Sequence, residues 1–135
     1  APVGSLLIGN KAFIKQARRM RKILGGGMRQ SGYLAAAGIY ALDQHVERLS
    51  EDHKRALKIA AILENKSFIK KIEPVETNIV IFELDENHPS ETFINEMAKK
   101  GIWLVGMGPQ TVRIVTHLGI DEEQMEFLYS TLKEV

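Results

Sequence analysis

One segment of this sequence, residues 33–42, constrains the fold more than any other. It reads Tyr-Leu-Ala-Ala-Ala-Gly-Ile-Tyr-Ala-Leu, which is apolar or small around the whole circumference of a helix. A helix with no polar face is normally buried on every side. The 135-residue chain is 44% apolar, which is ordinary for one compact domain, and its small C-terminal part can cover only some of this surface. We therefore predict that the front of the chain packs against a larger sheet domain or a tight oligomer.

Residues 1–30 carry the pattern of the end of such a larger domain. An apolar run bounded by glycine predicts a strand at 2–9, and a strand needs a neighbour to pair with. Asn10 is a good N-cap for a helix at 11–24, and Gly25 is well placed to end that helix.

The rest of the chain predicts two further parts. Residues 31–66 indicate a long buried or linking helix, with a possible break near Ser50. Residues 67–135 indicate a small C-terminal α+β domain with a short, mainly antiparallel sheet, so the fold class is α/β. Its strands are predicted at 68–69, 78–84, 102–105 and 111–117. Its helices are predicted to start at Ser90, which would cap the first, and at Asp121, with Gln124 completing a capping box.

Charge is unevenly distributed along the chain. Seven basic residues and no acidic residue lie in the first 42 positions, although the net charge of the whole chain is +1. They are Lys11, Lys15, Arg18, Arg19, Arg21, Lys22 and Arg29. This asymmetry indicates either a local anionic partner or a solvated helix face, and charge alone does not choose between them.

The three consecutive glycines at 25–27 lie between these basic residues. A glycine-rich turn can offer free backbone N–H groups to an anion, with the flanking Arg and Lys supplying charge. The spacing matches neither a Walker loop nor a dinucleotide-binding fingerprint. The alternative is a flexible hinge flanked by solvated cations.

Arg113 is a second candidate, because it interrupts an otherwise β-branched strand. Strand alternation places Val112, Ile114 and Thr116 on one face and Arg113 with Val115 on the other. A guanidinium in so apolar a strand should be paired, and its planar fork suits a carboxylate. A salt bridge within the chain or exposure on an open sheet face would explain the residue equally well.

The other ionisable residues indicate no site by their spacing. His45 and His53 lie eight positions apart on a helix, which is not a metal-ligand spacing, so no metal is expected. The absence of Cys excludes a thiolate site and fits a reducing compartment. The lysines of the first helix are expected to be exposed, whereas a Schiff-base lysine is usually desolvated. The acidic residues at 47–52 have the pattern of a solvated helix face.

Four blocks of sequence then point to a family. They are Ala-Pro-Val-Gly-Ser-Leu-Leu-Ile-Gly at 1–9, Arg-Lys at 21–22 with Gly-Gly-Gly-Met-Arg-Gln-Ser-Gly at 25–32, the apolar segment at 34–42, and Arg-Ile-Val-Thr-His-Leu at 113–118. Together they resemble the C-terminal part of the low-specificity L-threonine aldolases, which are fold-type-I enzymes dependent on pyridoxal phosphate (PLP). The resemblance runs over essentially the whole chain.

This resemblance implies a reversible cleavage of L-threonine or L-allo-threonine to glycine and acetaldehyde, with PLP as the electron sink. It implies that Arg113 binds the α-carboxylate of the amino-acid substrate, and that Arg29 and Lys22 bind the cofactor or the substrate. It places the PLP lysine just upstream of Ala1, so no catalytic residue is expected in this chain and the chain alone should be inactive. It further implies a cytoplasmic homo-oligomer, a dimer of dimers, completed by an N-terminal large-domain segment.

Three alternatives stay open at this point. Other fold-type-I PLP lyases or transferases share the architecture, and a fold does not fix the chemistry. A non-enzymatic anion or nucleic-acid binder would use the basic first helix, but that helix lacks interleaved aromatic residues and the whole chain is nearly neutral. A structural or regulatory α/β module is the third. A membrane partner is not expected, because no apolar run approaches the ~18 residues that a membrane span needs.

Overall fold

The computed structural model describes residues 4–135. The chain divides into two compact units, Ala1–Glu47 and Arg48–Val135. In its described part, the first unit contains helices α1 (Lys11–Ile23) and α2 (Gly32–Gln44). The second unit contains helices α3 (Leu49–Leu63), α4 (Ser90–Lys99) and α5 (Glu122–Glu134), and strands β1 (Ile69–Ile72), β2 (Ile79–Leu84), β3 (Val105–Gly106) and β4 (Thr111–Val115). Among residues 4–135, no helix is both long and apolar enough to cross a lipid bilayer.

Helix α1 begins and ends where the sequence predicts. The side-chain oxygen of Asn10 accepts a hydrogen bond from the backbone N–H of Phe13 at 2.9 Å, which satisfies one of the free N–H groups of the first turn. The predicted strand at 2–9 is wrong for residues 4–9, which are irregular, because no strand of this unit's described residues is available to pair with them. The part of that prediction on Pro2 and Val3 lies outside the described residues.

Helix α2 carries the segment that is apolar on all sides, and none of its residues is buried. Ile39, Tyr40 and Leu42 are each more than half exposed, as are Leu6 and Ile8 before α1. Such a concentration of exposed apolar side chains is unusual for a free surface and indicates an interaction site. The prediction that this helix needs cover from outside the chain remains a prediction.

The long helix predicted at 31–66 is two helices. The break falls at 45–48, slightly before Ser50, and α3 then starts after Arg48. Helix α3 belongs to the second unit, where five of its residues are buried: Asp52, Ala56, Ile59, Ala60 and Leu63.

The second unit is built on an antiparallel four-stranded sheet with strand order β1-β2-β4-β3. The predicted short, mainly antiparallel sheet is confirmed. Alternate residues of the two central strands, β2 and β4, are buried against the three helices of this unit. These strand residues are Val80, Phe82, Leu84, Val112 and Ile114. Phe93 of α4 contacts Phe82 edge-on, with ring centroids 5.9 Å apart. Since the buried positions alternate, the helices cover one face of the sheet and the other face is open.

Two local predictions in this unit are wrong. Strand β3 covers only Val105 and Gly106, not 102–105, and contributes two register pairs with β4. Ser90 does not cap α4: it is the first helical residue, and its hydroxyl donates to the carbonyl of Gly108 at 2.6 Å. The capping box at Asp121 and Gln124 is confirmed, with both reciprocal hydrogen bonds present.

Candidate functional site

The open face of the sheet is centred on Arg113 in strand β4. Its neighbours in the chain, Val112 and Ile114, are buried on the helix side, so the guanidinium is directed to the opposite face. In the register, Ile81 of β2 and Val105 of β3 stand directly opposite Arg113 on either side. The alternation predicted for this strand is confirmed, and the side chain is surrounded on its own face mostly by apolar residues.

Arg113 lacks the partner that such a setting calls for. Its Nε is buried and makes no hydrogen bond, and no carboxylate among residues 4–135 forms an ion pair with its guanidinium. An unsatisfied buried donor costs about 1–3 kcal/mol, and more when the group is charged. An internal salt bridge, one of the two alternatives to a functional role, is therefore absent from the described residues.

Hydrogen bonds at both ends fix the strand that carries Arg113. At its C-terminal end, the hydroxyl of buried Thr116 donates to the carbonyl of Asp52 in α3 at 2.8 Å, and the Asn78 amide donates to the Thr116 carbonyl at 2.6 Å. At the other end, the Met107 N–H donates to the Thr111 carbonyl at 2.8 Å, which closes the turn between β3 and β4. Arg113 therefore lies on a rigid element, as a binding residue should.

The sequence pattern at Asp52 was misleading. The acidic run at 47–52 was expected to be a solvated face, but Asp52 is only 2% exposed. The guanidinium of Arg48 donates to both of its carboxylate oxygens, at 2.9 and 3.1 Å, and Arg55 approaches to 4.0 Å. Burial is tolerated because the carboxylate is paired in a bidentate arrangement. The i, i+4 spacing of Arg48 and Asp52 was the available signal.

The glycine turn after α1 is a helix cap. Gly25 has φ +84°, its N–H donates to the Lys22 carbonyl at 3.2 Å, and the Gly26 N–H donates to the Arg21 carbonyl at 2.8 Å. This pair of bonds is a Schellman motif. The Gly27 N–H donates to the Gly25 carbonyl at 2.8 Å, so all three N–H groups are used within the turn. The hypothesis of an anion cradle made from these backbone groups is therefore wrong.

Lys22 and Arg29 lie on either side of this glycine turn, and both are exposed. The Lys22 ammonium folds over the turn, since a Cβ built on Gly27 would stand 2.8 Å from Nζ. Arg29 precedes Gln30, whose φ of +52° is uncommon for a residue with a side chain. Neither cation has an ion-pair partner within the described part of the chain. Lys22 and Arg29 thus lie in the first unit, whereas Arg113 lies in the second.

The remaining candidates add no chemistry. His117 accepts a hydrogen bond from the Gly119 N–H at 3.0 Å, which is a structural role in the turn after β4. In the part of the chain from residue 4 onward, no three His, Asp or Glu residues are grouped as a metal site. A pocket of about 510 Å³ lies between residues 101–104, the end of β4 and α5, and Arg113 is not among its lining residues.

Comparison with solved structures defines the class of fold. The chain is similar to the cystine C–S lyase C-DES, in complex with its reaction product cysteine persulfide, with a TM-score of 0.57 and 18% identity over 77% of this chain and 28% of that one. It is similar to N-acetylornithine aminotransferase from Stenotrophomonas maltophilia with a TM-score of 0.58 and 16% identity, over 74% of this chain and 29% of that one. The fold is that of fold-type-I PLP enzymes, as predicted.

Sequence comparison identifies the family. The model of the beta-eliminating lyase family matches residues 1–87, and the chain belongs to this family.

Among curated proteins, the chain is 44% identical over 124 residues to the low specificity L-threonine aldolase of Escherichia coli, covering 92% of this chain and 36% of that protein. It is 36% identical over 138 residues to the probable low-specificity L-threonine aldolase 2 of Arabidopsis thaliana, covering 100% of this chain and 39% of that protein. It is also 33% identical over 144 residues to the alanine racemase TOXG of Cochliobolus carbonum, covering 100% of this chain and 36% of that protein. The chain therefore spans little more than a third of the length of these relatives.

Proposed function

We propose that this chain contributes the substrate-carboxylate site of a PLP-dependent threonine aldolase, which cleaves L-threonine or L-allo-threonine to glycine and acetaldehyde. The observation that carries the proposal is that the buried Nε of Arg113 has no hydrogen-bond partner, and it is the one such buried side-chain atom among residues 4–135. The similarity to proteins named low-specificity L-threonine aldolase supports the choice of substrate.

Arg113 acts by binding and orienting the amino acid. Its guanidinium donates to the α-carboxylate, and the open face of the sheet accepts the substrate because helices α3, α4 and α5 of the same unit lie on the other face. A bidentate grip fixes the direction of the carboxylate as well as its position. Fixing one substituent of the α-carbon determines which of its other bonds is aligned for cleavage, which is a positioning effect that can supply several kcal/mol.

PLP supplies the electron sink that makes cleavage of the carbon–carbon bond feasible. Two of the residues present fit the phosphate of such a group: Lys22 and Arg29 are exposed cations without an ion-pair partner among residues 4–135. Arg113, with its unsatisfied buried donor, fits the carboxylate of the substrate. We assign Lys22 and Arg29 to the cofactor phosphate or to the substrate. We assign the lysine that holds PLP covalently to a segment outside these 135 residues, as the resemblance to the threonine aldolases implies. The exposure of the α1 lysines supports this assignment.

We assign residues 1–30 to the end of the large PLP-binding domain and residues 67–135 to the small domain. Of the predicted linking segment 31–66, α3 packs in the core of the second unit and is therefore assigned to the small domain, which leaves α2 as the link. The exposed apolar surface of α2 supports burial of the linking segment against the rest of the large domain and a second subunit. A cytoplasmic homotetramer, a dimer of dimers, is part of the same proposal. Analytical ultracentrifugation of the full-length protein tests the oligomer, and cell fractionation tests the location.

Substitution of Arg113 in the full-length protein tests the carboxylate role. We expect Arg113→Ala to raise KM for L-threonine roughly 10- to 100-fold, since hydrogen bonds to charged groups are worth about 1.5–3 kcal/mol. Arg113→Lys keeps the charge but loses the planar fork, so its KM should lie between those of the wild type and of Arg113→Ala. Lys99→Ala removes an exposed cation at the end of α4 and is the matched control. KM and kcat of Arg113→Ala near wild type would contradict the proposal.

A different PLP reaction on amino acids is the second candidate. It is favoured by the 33% identity to a protein named alanine racemase, which covers the whole of this chain. Both reactions need a bound α-carboxylate, so Arg113 serves either one. Incubation of the full-length protein with L-alanine and, separately, with L-threonine distinguishes them: D-alanine without acetaldehyde would favour the racemase, and acetaldehyde with glycine the aldolase.

A further inference from the structure

One acidic side chain lies within reach of Arg113 and does not bind it. Ile81 is the register partner of Arg113, and Glu83, two residues further along β2, is the partner of Thr111. Because residues two apart in a strand share a face, Glu83 lies on the open face with Arg113. Within the described strands β2, β3 and β4, it is the one acidic residue.

A diagonal arrangement of this kind normally allows a salt bridge. Diagonal neighbours in an antiparallel pair lie about 7–8 Å apart at the backbone, which long side chains such as Arg and Glu can span. Yet no ion pair joins Glu83 and Arg113, while Glu83 Oε1 accepts a hydrogen bond from Lys70 Nζ at 2.9 Å. The carboxylate is therefore bound on the side away from β4, toward β1.

Lys70 reaches Glu83 because of a β-bulge. Strand β1 pairs Ile69 with Leu84 and Lys71 with Glu83, so Lys70 is an extra residue without a register partner. A bulge of this kind re-aims side chains and is common next to functional sites. The second lysine of the bulge, Lys71, binds a different carboxylate, Glu73, at 2.5 Å. The two adjacent lysines thus have separate partners, and only Lys70 engages the acid beside Arg113.

We propose that Lys70 is a positioning residue that holds Glu83 away from Arg113 and so keeps the guanidinium free for the substrate carboxylate. The inference rests on the proposed function, in which Arg113 binds that carboxylate. Without Lys70, Glu83 would turn to Arg113, its diagonal neighbour on the same face, and compete with the substrate from within the protein. The hydrogen bond to Glu83 also raises the pKa of the Lys70 ammonium, which favours the charged form that holds the carboxylate.

The test uses three variants of the full-length protein. Lys70→Met keeps most of the aliphatic stem and removes the charge; we expect KM for L-threonine to rise about two- to five-fold with kcat unchanged, the range that one cross-strand ion pair can produce. Lys70→Met combined with Glu83→Gln should return KM to the wild-type value, because the competing carboxylate is gone. Lys71→Met, which breaks the neighbouring pair with Glu73, is the matched control and should leave KM unchanged.

The rescue distinguishes competition from a loss of structure. A structural defect in the bulge would persist in the double variant and would lower the melting temperature, whereas relief of competition restores KM. An unchanged KM in Lys70→Met, or an elevated KM that Glu83→Gln does not rescue, overturns the inference. If either of these results is found while Arg113→Ala does raise KM, the proposed function stands and only the role of Lys70 is refuted. If Arg113→Ala also has no effect on KM, both are refuted.

Discussion

The buried pair of Arg48 and Asp52 gives the sharpest test of how the second unit is held together. Asp52 is 2% exposed and accepts two guanidinium hydrogen bonds, so its replacement cannot be compensated by water. Asp52→Asn keeps the shape but removes the charge and turns an amide N–H₂ toward a donor. We expect the free energy of unfolding to fall by about 2–4 kcal/mol, within the range for breaking one side of a buried charged pair.

The neighbouring Glu51 supplies a matched control. It also approaches Arg48, at 3.6 Å, but its side chain is 61% exposed, so Glu51→Gln should cost less than about 0.5 kcal/mol. Urea unfolding of the 135-residue chain, followed by far-UV circular dichroism, measures both. In a double-mutant cycle with Arg48→Met, the pair should cost less than the sum of the single changes, because removing both charges leaves none unpaired. A cost for Asp52→Asn equal to that of Glu51→Gln, or strict additivity, would refute this reasoning.

Two other predictions concern the first unit. Gly26→Ala would place a Cβ 2.9 Å from the Arg21 carbonyl oxygen, so the C-terminal cap of α1 should be destabilised by about 1–2 kcal/mol. Gly32→Ala is the control, because its Cβ would meet no atom within 4 Å. Equal helix content in the two variants, measured by circular dichroism, would contradict the prediction. Treatment of the 135-residue chain with PLP and then borohydride should give only partial labelling spread over several exposed lysines, because the exposed lysines of α1 lack the desolvated setting of a Schiff-base lysine. A one-to-one adduct on a single lysine, found by mass spectrometry, would show that the cofactor lysine is in this chain.

The sequence predicted best those features that depend on local chemistry. The cap at Asn10, the capping box at Asp121 and the alternation around Arg113 each involve residues within a few positions of one another, and all three are confirmed. Arg113 was recognisable because a charged residue in a β-branched strand breaks a simple pattern. Its role in binding substrate is a separate matter and stays a prediction.

Features that depend on distant partners were missed. The buried state of Asp52 depends on α3 packing against the end of β4, where Thr116 binds its carbonyl 64 positions away in the sequence. The irregular course of residues 4–9 reflects the absence of a pairing strand among the described residues of that unit, which no local pattern reveals. The bulge at Lys70 is set by the register between β1 and β2, and two adjacent lysines give no sign of which one is extra.

The contrast between Arg48 and Arg113 bears most directly on function. Both are partly buried arginines of the same unit, and the first is bound by a carboxylate in a bidentate arrangement while the second has a buried Nε without a partner. If stability alone governed these positions, Glu83 would be expected to bind Arg113, since it lies on the same face and within reach of a long side chain. It binds Lys70 instead. An unpaired guanidinium beside an acid that is held elsewhere costs folding energy, and that cost is understandable when the missing partner is a carboxylate that arrives with the substrate.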